Sequence, residues 1–116
     1  MEAITVDELI EKLKKFENEH IITRLEGNIE ASIDMEFNEV KIKYDYIEMT
    51  YNKSKRNICG ENLKINFHQI KNIESDEDTE FYIYLDTEQR IIIFTDMHVL
   101  IGYDISKWER EQLSRI

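Results

Sequence analysis

Five carboxylates in seven residues, Glu74, Asp76, Glu77, Asp78 and Glu80, form the densest grouping of chemically active side chains in the sequence. Asp76, Asp78 and Glu80 fall at the first, third and fifth positions of a calcium loop. The pattern stops there: the sixth position is Phe81, where the sharp turn takes glycine, and the twelfth is Thr87, where a glutamate closes the coordination shell. A solvated acidic loop over 74–80 is the expectation. His20, His68 and His98 are scattered along the chain, and Asp96, His98 and His68 make only a sparse two-histidine, one-carboxylate set. Cys59 lies beside Gly60 with Lys55 and Arg56 nearby, and no local group marks it as a nucleophile. The three glycines, Gly27, Gly60 and Gly102, fit neither a dinucleotide fingerprint nor a phosphate-binding loop. No catalytic residue, metal site or cofactor is therefore expected.

The carboxylates matter more for their sum. The chain has 116 residues, with 25 acidic against 15 basic and a net charge of −10. Residues 1–50 and 74–116 each carry a net −7, whereas 51–73 carry +4. Such a field repels nucleic acid, whose affinity comes from counterions displaced by Lys and Arg. The loop with Tyr51, Lys53, Lys55 and Arg56 is the one local exception. An acidic surface instead attracts a basic protein. Glu30, Asp34 and Glu36 alternate along one strand face at about 6.5 to 7 Å, of the order of the phosphate repeat along one nucleic-acid strand. Asp76, Glu77 and Asp78, with Glu26, Asp86 and Glu88, are expected to extend that row. The partner-binding set is thus Glu30, Asp34, Glu36, Asp76, Glu77 and Asp78. In physical character the chain resembles phage-encoded inhibitors of restriction and CRISPR systems, which mimic nucleic acid to block host enzymes, although no motif carries the likeness. A subunit of a phage or bacterial assembly, or a small metal-dependent enzyme, is the alternative.

These side chains must be held by a small domain. At this length there is one, and 41% hydrophobic residues suffice for a core. No apolar run approaches the roughly 18 residues of a membrane span. The acidic start Met1 to Asp7 lacks a leader's basic and apolar regions, and a lone cysteine suits a reducing compartment, so a cytoplasmic location is expected.

Thr5 and Glu8 form a capping box, flanked by Ile4 and Leu9 as a staple. Leu9, Ile10, Leu13 and Phe16 recur at helical spacing, which predicts a helix over 6–17. Thereafter the period becomes 2. A strand from His20 to Leu25 turns at Glu26-Gly27-Asn28 into one from Ile29 to Asn38. Apolar parity slips twice. The first slip predicts a turn at Asn38-Glu39, and the second a β-bulge between Asp45 and Ile47. Strands follow through Leu63–Phe67, Phe81–Leu85 and Arg90–Phe94, the last buried on both faces. His98–Tyr103 reads as a final strand. Ser106 and Glu109 read as a second capping box, opening a short helix that turns Trp108 and Leu113 to the sheet. The predicted fold is α+β, about seven antiparallel strands in a bent sheet or partly open barrel, with a helix at each end. Seven strands and a closing helix are similar in order to a pleckstrin-homology-like barrel. Self-association through a strand edge is left open.

Overall fold

The computed structural model describes residues 1–52 and 61–115. The elements are β1 (Glu2–Ala3), α1 (Val6–Lys14), β2 (His20–Glu26), β3 (Ala31–Ile42), β4 (Tyr46–Asn52), β5 (Glu61–Asn66), a 3-10 turn (Phe67–Gln69), β6 (Ile70–Asp76), β7 (Glu80–Leu85), β8 (Arg90–Phe94) and α2 (Met97–Leu113). The fold is α+β. All eight strands join one antiparallel sheet in the order β1-β6-β7-β8-β2-β3-β4-β5. Two of the eight are absent from the sequence reading: the two-residue β1, too short to show a period, and β6, whose pairing shifts register between Ile70 and Asn72 so that its apolar residues do not alternate. The sheet is open, with β1 and β5 at its edges, so the barrel likeness stops at element order.

Alternation sorts the side chains onto two faces. On the inner face α1 buries Leu9, Ile10 and Leu13 against Ile21, Phe37, Met49, Phe81, Ile83 and Ile93, among others. The capping box forms as expected, with the Glu8 amide donating to Thr5 Oγ1 at 3.1 Å and the Thr5 amide to Glu8 Oε1 at 3.3 Å. The helix ends earlier than its apolar pattern, at Lys14, and Phe16 packs from the turn that follows. Tyr51, expected on an exposed basic loop, is fully buried; its hydroxyl meets Thr23 Oγ1 at 2.8 Å. Cys59 and the basic residues 53–56 lie outside the described residues.

On the outer face Ile22, Tyr82, Ile92 and Phe94 form a second cluster with Leu100 of α2. Strands β2, β7 and β8 are therefore covered on both sides, as expected for β8. Ile33, on the inner face of β3, is only half-buried, because it lies near the open end of that strand.

Three local expectations are corrected. The expected strand His98–Tyr103 and the short helix after it are one 17-residue helix, α2, capped by Asp96, whose Oδ1 accepts the His98 amide at 2.8 Å. Ser106 is interior to this helix, and Trp108 and Leu113 are exposed rather than turned to the sheet. The two parity slips are real, but their devices are exchanged. The slip at Asn38 is a bulge inside β3, between Phe37 and Glu39, and the slip before Ile47 is the reversal from β3 to β4. Lastly, the acidic loop is narrower than 74–80. Glu74, Ser75 and Asp76 belong to β6, Glu80 opens β7, and only 77–79 turn.

Candidate functional site

The bulge decides what the outward face of β3 carries. Phe37 and Val40 both point inward, so the extra residue leaves Glu36 and Glu39 outward together. Asn38 and Thr50 pin it: Asn38 Nδ2 donates to Thr50 Oγ1 at 3.1 Å, and Thr50 Oγ1 donates to the Glu39 carbonyl at 3.4 Å. Asp34, Glu36 and Glu39 thus form one acidic row. Glu39 is missed by sequence reasoning, since reading Asn38-Glu39 as a turn removes it from the strand. Glu30 stands just before β3 in the β2–β3 connection, exposed. That connection is tied to the β7–β8 turn, where the Gln89 side chain exchanges hydrogen bonds with the Ile29 amide (2.9 Å) and carbonyl (2.8 Å).

The six expected residues do not make one row. Register aligns Asp34, Ile22, Phe94, Glu80 and Asp76 on the outer face across five strands. Asp34 and Asp76 are thus four strand spacings apart, about 19 Å in a flat sheet. The cluster beneath α2 occupies the strands between them. Glu30, Asp34 and Glu36 stand on one side of α2, and Asp76, Glu77 and Asp78 on the other. Glu26 belongs to neither group.

Within each group some carboxylates already have partners. Asp34 meets His20 Nε2, and Asp78 is bonded to the Lys12 ammonium of α1. The Lys12 hydrogen bond holds the Asp78 carboxyl below its ordinary range. Glu39 pairs with Lys41 at 3.0 Å, and Glu48 with Lys64 at 3.9 Å. Glu30, Glu36, Asp76 and Glu77 have no ion pair with a described residue. Glu77 and Asp78 hold positive φ of 50° and 59°, while the Thr79 amide closes the turn on the Asp76 carbonyl at 3.1 Å. The calcium-loop pattern is not realised: Glu80 accepts the Tyr82 hydroxyl, Asp78 is taken by Lys12, and no three metal-ligating side chains converge among the described residues.

A polar network that the sequence reading overlooked anchors α2. Buried Glu26 accepts Arg90 Nη2 at 2.7 Å and the Tyr103 hydroxyl at 2.8 Å, and Lys107 Nζ lies 3.6 Å from it. Burial pushes the Glu26 carboxyl up, but the Arg90 and Tyr103 hydrogen bonds and the Lys107 charge outweigh it and hold it below its ordinary value. Tyr103 is pushed up to about 12, first by burial and then by its bond to that carboxylate. Alongside, Arg24 and Asp104 make a two-pronged ion pair. The visible signal was Tyr103, Asp104 and Lys107 at one-turn spacing, legible only once 98–103 is read as helix. No protein-family model, curated protein or solved structure matches this chain.

Proposed function

We propose that this chain is a non-enzymatic, acidic protein-binding module that docks on a partner's basic surface, with the nucleic-acid channel of a restriction or CRISPR enzyme as the partner class its charge fits best. The observation that carries the reading is the outward row Asp34, Glu36 and Glu39, held on a single rigid strand by the bulge at Asn38. A strand sets the carboxylates with little loss of backbone freedom on binding, which favours recognition over mere solubility. Asp34 and Glu36 stand about 7 Å apart, two residue rises along the strand. Glu30 adds charge at one end. Asp76 and Glu77, beyond α2, add a second acidic point that a channel wide enough to straddle the helix would meet.

The test is capture from phage-defence lysates at low and high salt, using wild type and the triple variant Glu30→Lys, Asp34→Lys, Glu36→Lys. A basic nucleic-acid enzyme retained by wild type at low salt, released at high salt and lost with the variant supports the proposal, because exposed charges are screened within about 8 to 10 Å. Equal capture by both proteins defeats it.

A further inference from the structure

We infer that the apolar flank of α2 and the acidic row of β3 form one docking site for a basic amphipathic segment of a partner protein. This rests on the reading of β3 as an acidic docking row and adds what the partner must bring besides charge.

Four large apolar side chains of α2, Met97, Ile101, Ile105 and Trp108, are each more than half exposed. Spaced by four, four and three residues, they fall on one stripe of the helix surface. Trp108 is the only tryptophan in the chain. Isolated exposed apolar residues are ordinary, but a contiguous stripe with a tryptophan at one end is the composition of a binding hot spot.

Contacts on the buried side of α2 show which way the stripe faces. Tyr103 packs on Phe94 of β8, ring centroids 5.2 Å apart. Asp104, about 100° further round the helix, reaches Arg24 of β2. Continuing in that direction, past β2, brings the stripe to the flank overlooking β3. The stripe runs beside the stretch from Asp34 to Glu30, and Glu36 and Glu39 continue the acidic row past its Met97 end. Leu100 shares a cluster with Ile22, whose partner on β3 is Asp34, so Met97 and Ile101 lie toward Asp34. Lys107 reaches Glu26 at the end of β2, so Trp108 lies toward the β2–β3 connection that holds Glu30.

An apolar wall beside an acidic floor selects its occupant by charge. A second copy of this chain would bring a further net −10 to the same place. An anionic lipid surface is repelled for the same reason. A helix with leucine-like residues on one side and Lys or Arg beside them satisfies both features at once, apolar face to α2 and cations to Glu30 and Asp34 beside the stripe and to Glu36 and Glu39 past its Met97 end.

Two probes test this: a model peptide of about 18 leucines and lysines that segregates its leucines on one helical face, and an oligolysine of equal charge. Trp108 fluorescence reports the stripe directly. The leucine–lysine peptide is expected to shift the emission to shorter wavelength and to bind at least about tenfold tighter than oligolysine. The double variant Ile101→Ser, Ile105→Ser is expected to erase that advantage while leaving oligolysine affinity unchanged. Neutralising β3 with Asp34→Asn, Glu36→Gln and Glu39→Gln is expected to weaken both peptides. Equal wild-type affinities with no emission shift overturn the inference and leave the acidic reading standing, and this comparison holds whatever the variants do to the fold. Indifference of both peptides to β3 neutralisation defeats the acidic reading as well. A peptide-free dimer in sedimentation that Ile101→Ser dissociates also overturns the inference, since a second copy then covers the stripe.

Discussion

Glu26 and Arg90 face each other across β2 and β8, and the same carboxylate that accepts Arg90 Nη2 at 2.7 Å also accepts the Tyr103 hydroxyl descending from α2. One buried acid therefore joins two strands and the C-terminal helix. Removing it strands Arg90 and Lys107 without their counter-ion beneath α2. Glu26→Ala is expected to lower stability by about 2 to 3 kcal/mol, and Tyr103→Phe by about 1 kcal/mol. Urea unfolding measures both. A loss for Glu26→Ala no larger than that for an exposed acid such as Glu30→Ala counts against the network.

The same groups give stability two pH limits. The folded Glu26 carboxyl lies below its unfolded value, so its contribution is present above that unfolded value and is lost as pH falls through the folded one. Tyr103 has the opposite sense. Its folded value of about 12 exceeds the ordinary 10.0, so its contribution is intact below pH 10 and disappears as pH rises toward 12. Denaturant midpoints across the acid and alkaline limbs are expected to flatten selectively, the acid limb in Glu26→Gln and the alkaline limb in Tyr103→Phe. Tyr51 and Tyr82, raised chiefly by burial, keep part of the alkaline slope in the second variant.

Deleting Asn38 tests the bulge. Without it, Phe37, Glu39 and Val40 follow one another opposite Tyr51, Thr50 and Met49 in ordinary alternation, so the ladder closes and every side chain beyond Phe37 keeps its face. The deletion variant is therefore expected to keep its cooperative thermal transition, as is Asn38→Ala at a cost of about 1 kcal/mol for the lost bond to Thr50, and loss of cooperativity on deletion contradicts the bulge.

Both slips of apolar parity were visible in the sequence, because alternation depends only on which side chains are buried. What they became was not. A bulge and a reversal leave the same mark on parity, and the choice rests on strand pairing between residues far apart in the chain. The N-terminal helix was legible because Thr5, Glu8 and Leu9 to Leu13 are local signals that agree. At 98–103 they disagreed. Val99, Ile101 and Tyr103 alternate like a strand only because α2 buries one flank and leaves apolar residues exposed on another, so its pattern is not that of an ordinary amphipathic helix. The acidic residues of β3 were identifiable by type and spacing; the interruption by α2 that separates them from Asp76 was not, since it is a property of the sheet order.

Two glycines respond in opposite ways. Gly27 has φ of +135°, and an added Cβ would lie 2.5 Å from the Glu88 carbonyl oxygen, a backbone atom with no room to retreat. Gly27→Ala is expected to destabilise by about 2 kcal/mol. Gly102 is interior to α2 and a Cβ there meets nothing within 4 Å. Gly102→Ala is expected to stabilise by about 0.5 to 1 kcal/mol through helix propensity. Paired thermal melts decide the matter, and a shift in the same direction for both contradicts the assigned backbone conformations.

Trp108 separates the two readings of the C-terminal helix most sharply. Were its indole turned to the sheet, Trp108→Ala would cost about 3 to 5 kcal/mol, as for any large core aromatic. It is instead 61% exposed, so the substitution is expected to change stability by no more than about 0.5 kcal/mol. Ile92, fully buried between the sheet and α2, supplies the contrast, and Ile92→Ala is expected to cost about 2 to 5 kcal/mol. Emission from the wild-type indole is expected close to that of tryptophan free in water and readily quenched by iodide or acrylamide. A shielded, blue-shifted indole together with a large loss in Trp108→Ala would place the residue against the sheet after all, and would remove the apolar wall beside β3 with it.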